Sequence, residues 1–318
     1  MREETLFEIG SLSREPLRVK GFRFGTPDAT PSCVIVGPMT GNAIDQLWIA
    51  SRLVRFLRQQ ELSNAGFVKG EILIVPTVNP YSFNMGKAFW PLDNTDIDVM
   101  FPGYNQGETT QRIAARLFEH TNNYDYAILL EARKDHSECI PYVKVLQSNA
   151  QYVEEARDFG LDFIHLKEVT PSDTVSINYN WDIWNAKSFS ILSGKKGTLR
   201  KMESAKVIDA IIRFLSKKGL IDYTVFEGSH GNIVSTEDIA IVKSNSAGLF
   251  DSLVVVGDTV LHGQPMARIY NALDGTLMQT IVSPCDGVIT CRYDYPLMFQ
   301  NAVAFRIAQV STKNNPHD

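Results

Sequence analysis

The stretch Glu131-Ala132-Arg133-Lys134-Asp135-His136-Ser137-Glu138-Cys139 crowds carboxylates, bases, an imidazole and a thiol together. His136 and Cys139 are the residue types of a base and a nucleophile. Their spacing suits one face of a helix, yet the stretch has no helical pattern and no third group is marked to orient them. Asp96, Asp98, Glu131 and Asp135 offer the oxygen ligands that Mg²⁺ or Ca²⁺ takes. Ser193-Gly194-Lys195-Lys196-Gly197-Thr198 faintly resembles a phosphate loop. It lacks the first glycine of G-x-x-x-x-G-K-[ST] and carries Lys196 where Ser or Thr is needed, so that chemistry is excluded. The six histidines, at 120, 136, 165, 230, 262 and 317, form no H-x-x-H or H-x-x-x-H pair. The four cysteines (Cys33, Cys139, Cys285, Cys291) show no CxxC spacing and read as reduced core or surface residues of a cytoplasmic protein.

The elements that must position these residues change character along the chain. Cys33 to Val36, Ile72 to Val75, Tyr126 to Leu130 and Ser188 to Leu192 are compact apolar runs, as buried strands are. Between them, Ile44 to Leu62, Thr109 to His120, Gln151 to Phe159 and Met202 to Lys218 place apolar residues three and four apart. The alternation predicts an α/β domain over residues 1–222, its mixed sheet covered by helices on both faces. The turn Gly37-Pro38-Met39-Thr40-Gly41-Asn42-Ala43 follows the first of these strands, where open α/β sheets place their sites. From 223 to 318, short β-rich runs separated by Gly and Asp predict an all-β domain. These runs are Ile239 to Val242, Leu253 to Gly257, Gly257 to Val260, Gly263 to Pro265, Ser283 to Gly287 and Ala302 to Ala308. The pattern G-D-x-V-x-x-G-Q followed by S-P-x-D-G resembles the barrel-sandwich fold of lipoyl and biotinyl domains. Ile269 to Val282 holds no lysine, which argues against a swinging-arm carrier.

With 318 residues the chain has room for one large and one smaller domain, and 44% hydrophobic and 21% charged residues are ordinary for a soluble protein. A net charge of −5 argues against a nucleic-acid partner. No run of about 18 apolar residues suggests a membrane span. The acidic start Met1-Arg2-Glu3-Glu4 carries no secretory h-region, so a cytoplasmic location is expected.

Five landmarks in order resemble the succinylglutamate desuccinylase and aspartoacylase family, relatives of the zinc carboxypeptidases. They are the turn at 37–43 (family: G-x-x-H-G-N-E), Val75 to Pro80 (v-P-x-x-N-P), Asp96 to Gly103 (D-L-N-R-x-F-P-G), Gln111-Arg112-Ile113-Ala114, and Tyr126 to Ala132 (y-v-i-D-L-H-t). The resemblance spans about 33–310 and implies a zinc-carboxypeptidase-like α/β domain followed by a β domain. It also implies that Thr40, Ala43 and Glu131 stand at the three zinc-ligand positions, Leu129 at the supporting Asp and Leu192 at the general base of t-x-E-x-G. Asp98 and Val99 replace the Asn-Arg pair that helps hold the substrate's carboxylate.

Zinc takes imidazole nitrogen, thiolate sulfur or carboxylate oxygen, so a methyl at Ala43 offers nothing, and Leu192 cannot move a proton. Thr40 reads as a turn residue whose hydroxyl satisfies backbone groups at the helix start. Ala43 and Leu192 read as packing residues, Asp96 and Asp98 as loop caps, and Glu131 as a salt-bridge partner of Arg133 or another base. The first expectation is therefore a catalytically inactive homologue with no cofactor. It would act by binding an active paralogue, a second copy or a small ligand in a cleft remodelled around Asp96, Asp98, Val99, Arg133, Asp135 and His136. The second is a hydrolase of an amide or ester bond in an acyl-amino acid or peptide, with a site rebuilt around Asp98, Glu131 and His136.

Overall fold

The structure, a computed structural model, describes residues 1–309 apart from Leu12, Arg14 and Lys134. His317 lies outside the described residues. Two compact units divide the chain, the first Met1–Ala132 with Pro141–Ile233, the second Arg133–Ile140 with Val234 onward.

The first unit runs β1 (Arg2–Ile9), β2 (Leu17–Gly25), β3 (Ser32–Val36), α1 (Ile44–Ser63), β4 (Glu71–Val75), α2 (Pro80–Met85), α3 (Thr109–Thr121), β5 (Tyr126–Glu131), the latter part of β6 (Ser137–Leu146), β7 (Phe163–Lys167), α4 (Ile177–Ile183), β8 (Lys187–Gly194) and α5 (Lys201–Lys217). Its strands lie in the order β1-β2-β4-β3-β5-β8-β6, with β7 beside β6. The pairs β3–β4, β3–β5 and β5–β8 are parallel, while β1–β2 and β2–β4 are antiparallel. Parallel strands covered on both faces need apolar residues at every position, and all of β3 and β4 is buried. Alternate residues feed two cores: Cys33, Ile35 and Ile128 pack with α1 and α5 on one face, Val34, Val36 and Leu129 with α3 and α4 on the other.

Some expected elements are corrected. Gln147–Phe159 is a 3₁₀ run broken at Asn149, whose backbone leaves the helical conformation and whose side chain donates to the Ser188 carbonyl at 3.3 Å. The hairpin β1–β2 escapes the apolar-run reading because its outer faces are charged and cross-paired, as in Lys20–Glu3 and Arg18–Glu8. The expected boundary at residue 222 falls at 233–234 instead. Residues 222–231 form no element, and they bond back to the first unit through Asp222 N to Phe67 O (2.8 Å) and Arg213 Nε to Phe226 O (2.8 Å).

The second unit takes residues 137–140 of β6 and continues through β9 (Asn232–Ser235, shared with the first unit), β10 (Ile239–Lys243), β11 (Gly248–Ser252), β12 (Thr259–Val260), β13 (Pro265–Tyr270), β14 (Leu277–Val282), β15 (Gly287–Tyr293), β16 (Leu297–Met298) and β17 (Val303–Gln309). One antiparallel group joins β10, β17, β15, β12 and the start of β6; the other runs β14-β13-β11-β16. Ile269, Ile281, Ile289, Phe305 and Ile307 fill the core they share. This is the expected all-β unit, but Leu253 to Gly257 is not a strand. There the chain turns, with Val255 N bonded to the Asp258 carboxylate at 2.9 Å. The cysteine reading is also corrected: Cys139 and Cys291 face each other across β6 and β15 and are joined in a disulfide, leaving Cys33 and Cys285 free.

Candidate functional site

The turn after β3 is held by backbone contacts that are indifferent to ligand chemistry. Gly37 N donates to Val75 O at 2.7 Å. Asn79, fully buried, caps α2 by accepting from Ser82 N at 3.2 Å, and its Nδ2 donates to Met39 O at 3.3 Å. A Cβ on Gly41 would lie 2.3 Å from Ser82 C and 2.5 Å from Lys87 O, so only glycine fits there. Thr40 and Ala43 are both buried. At the helix start the Thr40 carbonyl accepts from Ala43 N at 3.4 Å.

The first turn of α1 ties the turn to the carboxyl ends of two strands. Gln46, buried, donates from Nε2 to Glu131 O at the end of β5 (3.1 Å) and to Ser193 O at the end of β8 (2.8 Å). Asp45, also buried, accepts from Arg200 N at 2.6 Å and Ser204 Oγ at 3.2 Å. Burial raises the Asp45 carboxyl above its ordinary range against the pull of those bonds. The β5–β8 register sets Glu131 opposite Leu192 and Leu129 opposite Ser190. Thus the residues at the third-ligand, support and base positions of the resemblance come together on adjacent strands.

Glu131 is not free. Its Oε2 lies 2.5 Å from Lys144 Nζ of β6, with the side chains 26% and 14% exposed. The expected salt bridge exists, then, but its base is Lys144 rather than Arg133. Behind it lies a polar layer. Asp182 of α4 accepts from Ser148 Oγ and Ser188 Oγ, each at 2.6 Å. Burial pushes its carboxyl up to about 6, with the two serines and Lys144 opposing. Asn178 Nδ2 donates to Ser190 Oγ at 2.6 Å, while Asn178 Oδ1 is buried with no partner among the described residues.

The other candidates are placed elsewhere. Asp96 accepts from Asp98 N at 3.0 Å and opens the short helical turn Ile97–Val99, as the capping expectation had it. Val99 is exposed. Arg133, Asp135 and His136 belong to the second unit, and Thr40, Ala43, Asp98 and Glu131 to the first. Burial pushes the Asp135 carboxyl up, but Arg133 at 3.0 Å, Ser137 and Arg306 outweigh it and hold the carboxyl below its usual range. His136 stacks on Tyr295, ring centres 4.9 Å apart. Cys139, spent in the disulfide, has no thiolate to offer a nucleophilic pair with His136.

The donor set does not fit zinc. Ala43 has no donor atom, Thr40 brings only a hydroxyl, and Glu131 is bound by an ammonium. Among the described residues no group of three or more His, Cys, Asp or Glu could hold a metal ion. No helix among them is long and apolar enough to cross a membrane. Sequence reasoning missed Asp45, Gln46, Lys144, Asp182 and Asn178. Lys144 did leave a signal: it is the one charge in the apolar run Tyr142 to Leu146, at a position alternating with Val143 and Val145.

The comparisons with known proteins agree with the landmarks. A curated N-alpha-acetyl-L-2,4-diaminobutyric acid deacetylase of Halomonas elongata is 23% identical over 276 residues, covering 82% of this chain and 77% of that protein. The crystal structure of a succinylglutamate desuccinylase/aspartoacylase from Rhodobacter sphaeroides superposes with a TM-score of 0.80 at 18% identity, covering 96% of this chain and 95% of that one. The product-bound ectoine utilization protein EutE (DoeB) of Ruegeria pomeroyi gives 0.79 at 17% identity, covering 97% and 95%. At such identities the two structures speak for the fold. Residues 29–216 match the family model of the Succinylglutamate desuccinylase/Aspartoacylase catalytic domain, so the chain belongs to the succinylglutamate desuccinylase/aspartoacylase family.

Proposed function

We propose that the chain binds a small acylated amino acid at the carboxyl ends of β3, β5 and β8 and does not hydrolyse it through zinc. One observation carries this reading: Glu131, at the third-ligand position, is engaged by Lys144 while Thr40 and Ala43 supply no ligand. A metal site needs several donors on one ion, and a fixed ammonium beside the one carboxylate among the three ligand positions repels a second cation. The ligand class is supported by the name of the Halomonas elongata relative. No cofactor is required for such binding, and an active paralogue or a second copy of the chain is the partner this reading allows.

A second reading is a hydrolase of an amide or ester bond in an acyl-amino acid or peptide. The names of the relatives support it more directly than they support a binding protein. Of the residues assigned to it, Asp98 stands beside the cap at Asp96, Glu131 is held by Lys144, and His136 is in the second unit. It would therefore need a base other than Glu131.

Calorimetry with N-alpha-acetyl-L-2,4-diaminobutyric acid, run beside an amine-release assay with Zn²⁺ and with chelator, separates the two. Saturable binding unchanged by chelator, without amine release, supports the first reading. Zinc-dependent release overturns it. Metal-independent release that is lost in Asp98→Ala or His136→Ala establishes the second.

A further inference from the structure

On the face of the first unit's sheet that α1 and α5 cover, these helices leave between them a cavity of about 620 Å³ bordered by residues 223–226. That volume is typical of small-molecule sites, which run from roughly 300 to 1,000 Å³. α1 turns Trp48, Arg52, Arg55 and Phe56 toward it, positions three and four apart that share one helix face. The Arg52 guanidinium lies 5.0 Å from the centre of the Trp48 ring, a cation held over an aromatic plane. Phe56 packs edge-on to Tyr223, ring centres 5.3 Å apart, and gives the cavity an aromatic wall.

The charges there are unbalanced. Arg52, Arg55 and Lys201 line the cavity and, among the described residues, none has a carboxylate partner. Asp209 is the one acidic residue in the lining. Close by, by contrast, Lys187 and Lys218 are both paired with Glu155. A chain of net charge −5 thus keeps a cluster of unneutralised cations beside aromatic rings. An arginine fork suits the paired oxygens of a phosphate or carboxylate, and ring faces suit a planar body.

We infer that this cavity is a binding site for a small organic anion with a planar aromatic body, separate from the strand-end site and independent of the function proposed for it. Water alone could solvate the same cations, and that is the rival the experiment must beat. Calorimetry on the full chain would compare 4-methylumbelliferyl phosphate, coumarin-3-carboxylate, uncharged 4-methylumbelliferone and inorganic phosphate. Saturable binding of either aromatic anion is expected, at least about tenfold tighter than the uncharged ring or free phosphate. The variant Arg52→Met/Arg55→Met should weaken it by about tenfold or more, with an unchanged thermal midpoint showing that the fold is intact. The proposal is overturned if neither anion saturates, if the uncharged ring binds as tightly, or if the double variant binds like the parent.

Discussion

Glu131 and Lys144 form a pair with both side chains mostly shielded, so removing one partner leaves the other charged and poorly solvated. Lys144→Met is expected to cost about 2 kcal/mol, below the full penalty for a buried pair because Glu131 keeps some water. Glu131→Gln/Lys144→Met should recover at least half of that in urea unfolding; a double variant no better than the single would refute it. Asp182 supplies a pH signature. Its carboxyl is pushed up to about 6 from an ordinary 3.8 by burial. A carboxyl raised in the folded state stabilises while protonated, so the contribution is complete below 3.8 and is lost as pH rises through about 6. Between about pH 4 and pH 7 the parent should lose on the order of 2 kcal/mol relative to Asp182→Asn, whose amide does not titrate. Parallel stability curves for the two proteins would disprove the assignment. At this scale the sequence showed what Thr40, Ala43 and Leu192 lack. It could not show Lys144 as Glu131's partner, because Arg133 is nearer in sequence while Lys144 is brought close only by strand pairing.

Gln46 joins three elements through a single side chain: α1 by its backbone, β5 through Glu131 O and β8 through Ser193 O. Gln46→Leu keeps the volume but leaves two buried carbonyls without that donor. A loss of about 2 kcal/mol is expected, with faster amide exchange at the ends of β5 and β8 and little change in β1 and β2. Uniform acceleration across the sheet would show that Gln46 acts only on global stability. The central strands and the long helices α1, α3 and α5 were legible because apolar runs and helical spacing are direct traces of burial. The hairpin β1–β2 was not, since a solvated antiparallel edge replaces an apolar run with alternating charge. Nor was the break at Asn149, which depends on a bond to Ser188 that no local pattern encodes.

The disulfide acts on the molecule's second unit as a whole. It fixes Arg133–Ile140, a short piece remote in sequence, to strand β15, closing a separation of 152 residues. Denatured without reductant, the chain should show two reactive thiols, Cys33 and Cys285, and with reductant four. Four thiols in both cases would rule the bond out. On chain-entropy grounds Cys139→Ser/Cys291→Ser should cost about 3–5 kcal/mol, seen as an earlier unfolding transition. The β character of the C-terminal part was readable from the change of pattern near residue 223. The reassignment of 133–140 was not, because membership there is decided by cross-strand pairing to a segment far along the chain.

The Glu131–Lys144 pair also works as a lock. Placing the family's zinc donors in this chain by Thr40→His, Ala43→Glu and Glu131→His would strand the Lys144 ammonium beside an added cation. Adding Lys144→Met should therefore raise Zn²⁺ affinity over the triple variant in a metal titration. A substitution at either member of the pair alone leaves an uncompensated charge, so the pair is a lock that no single change opens without cost.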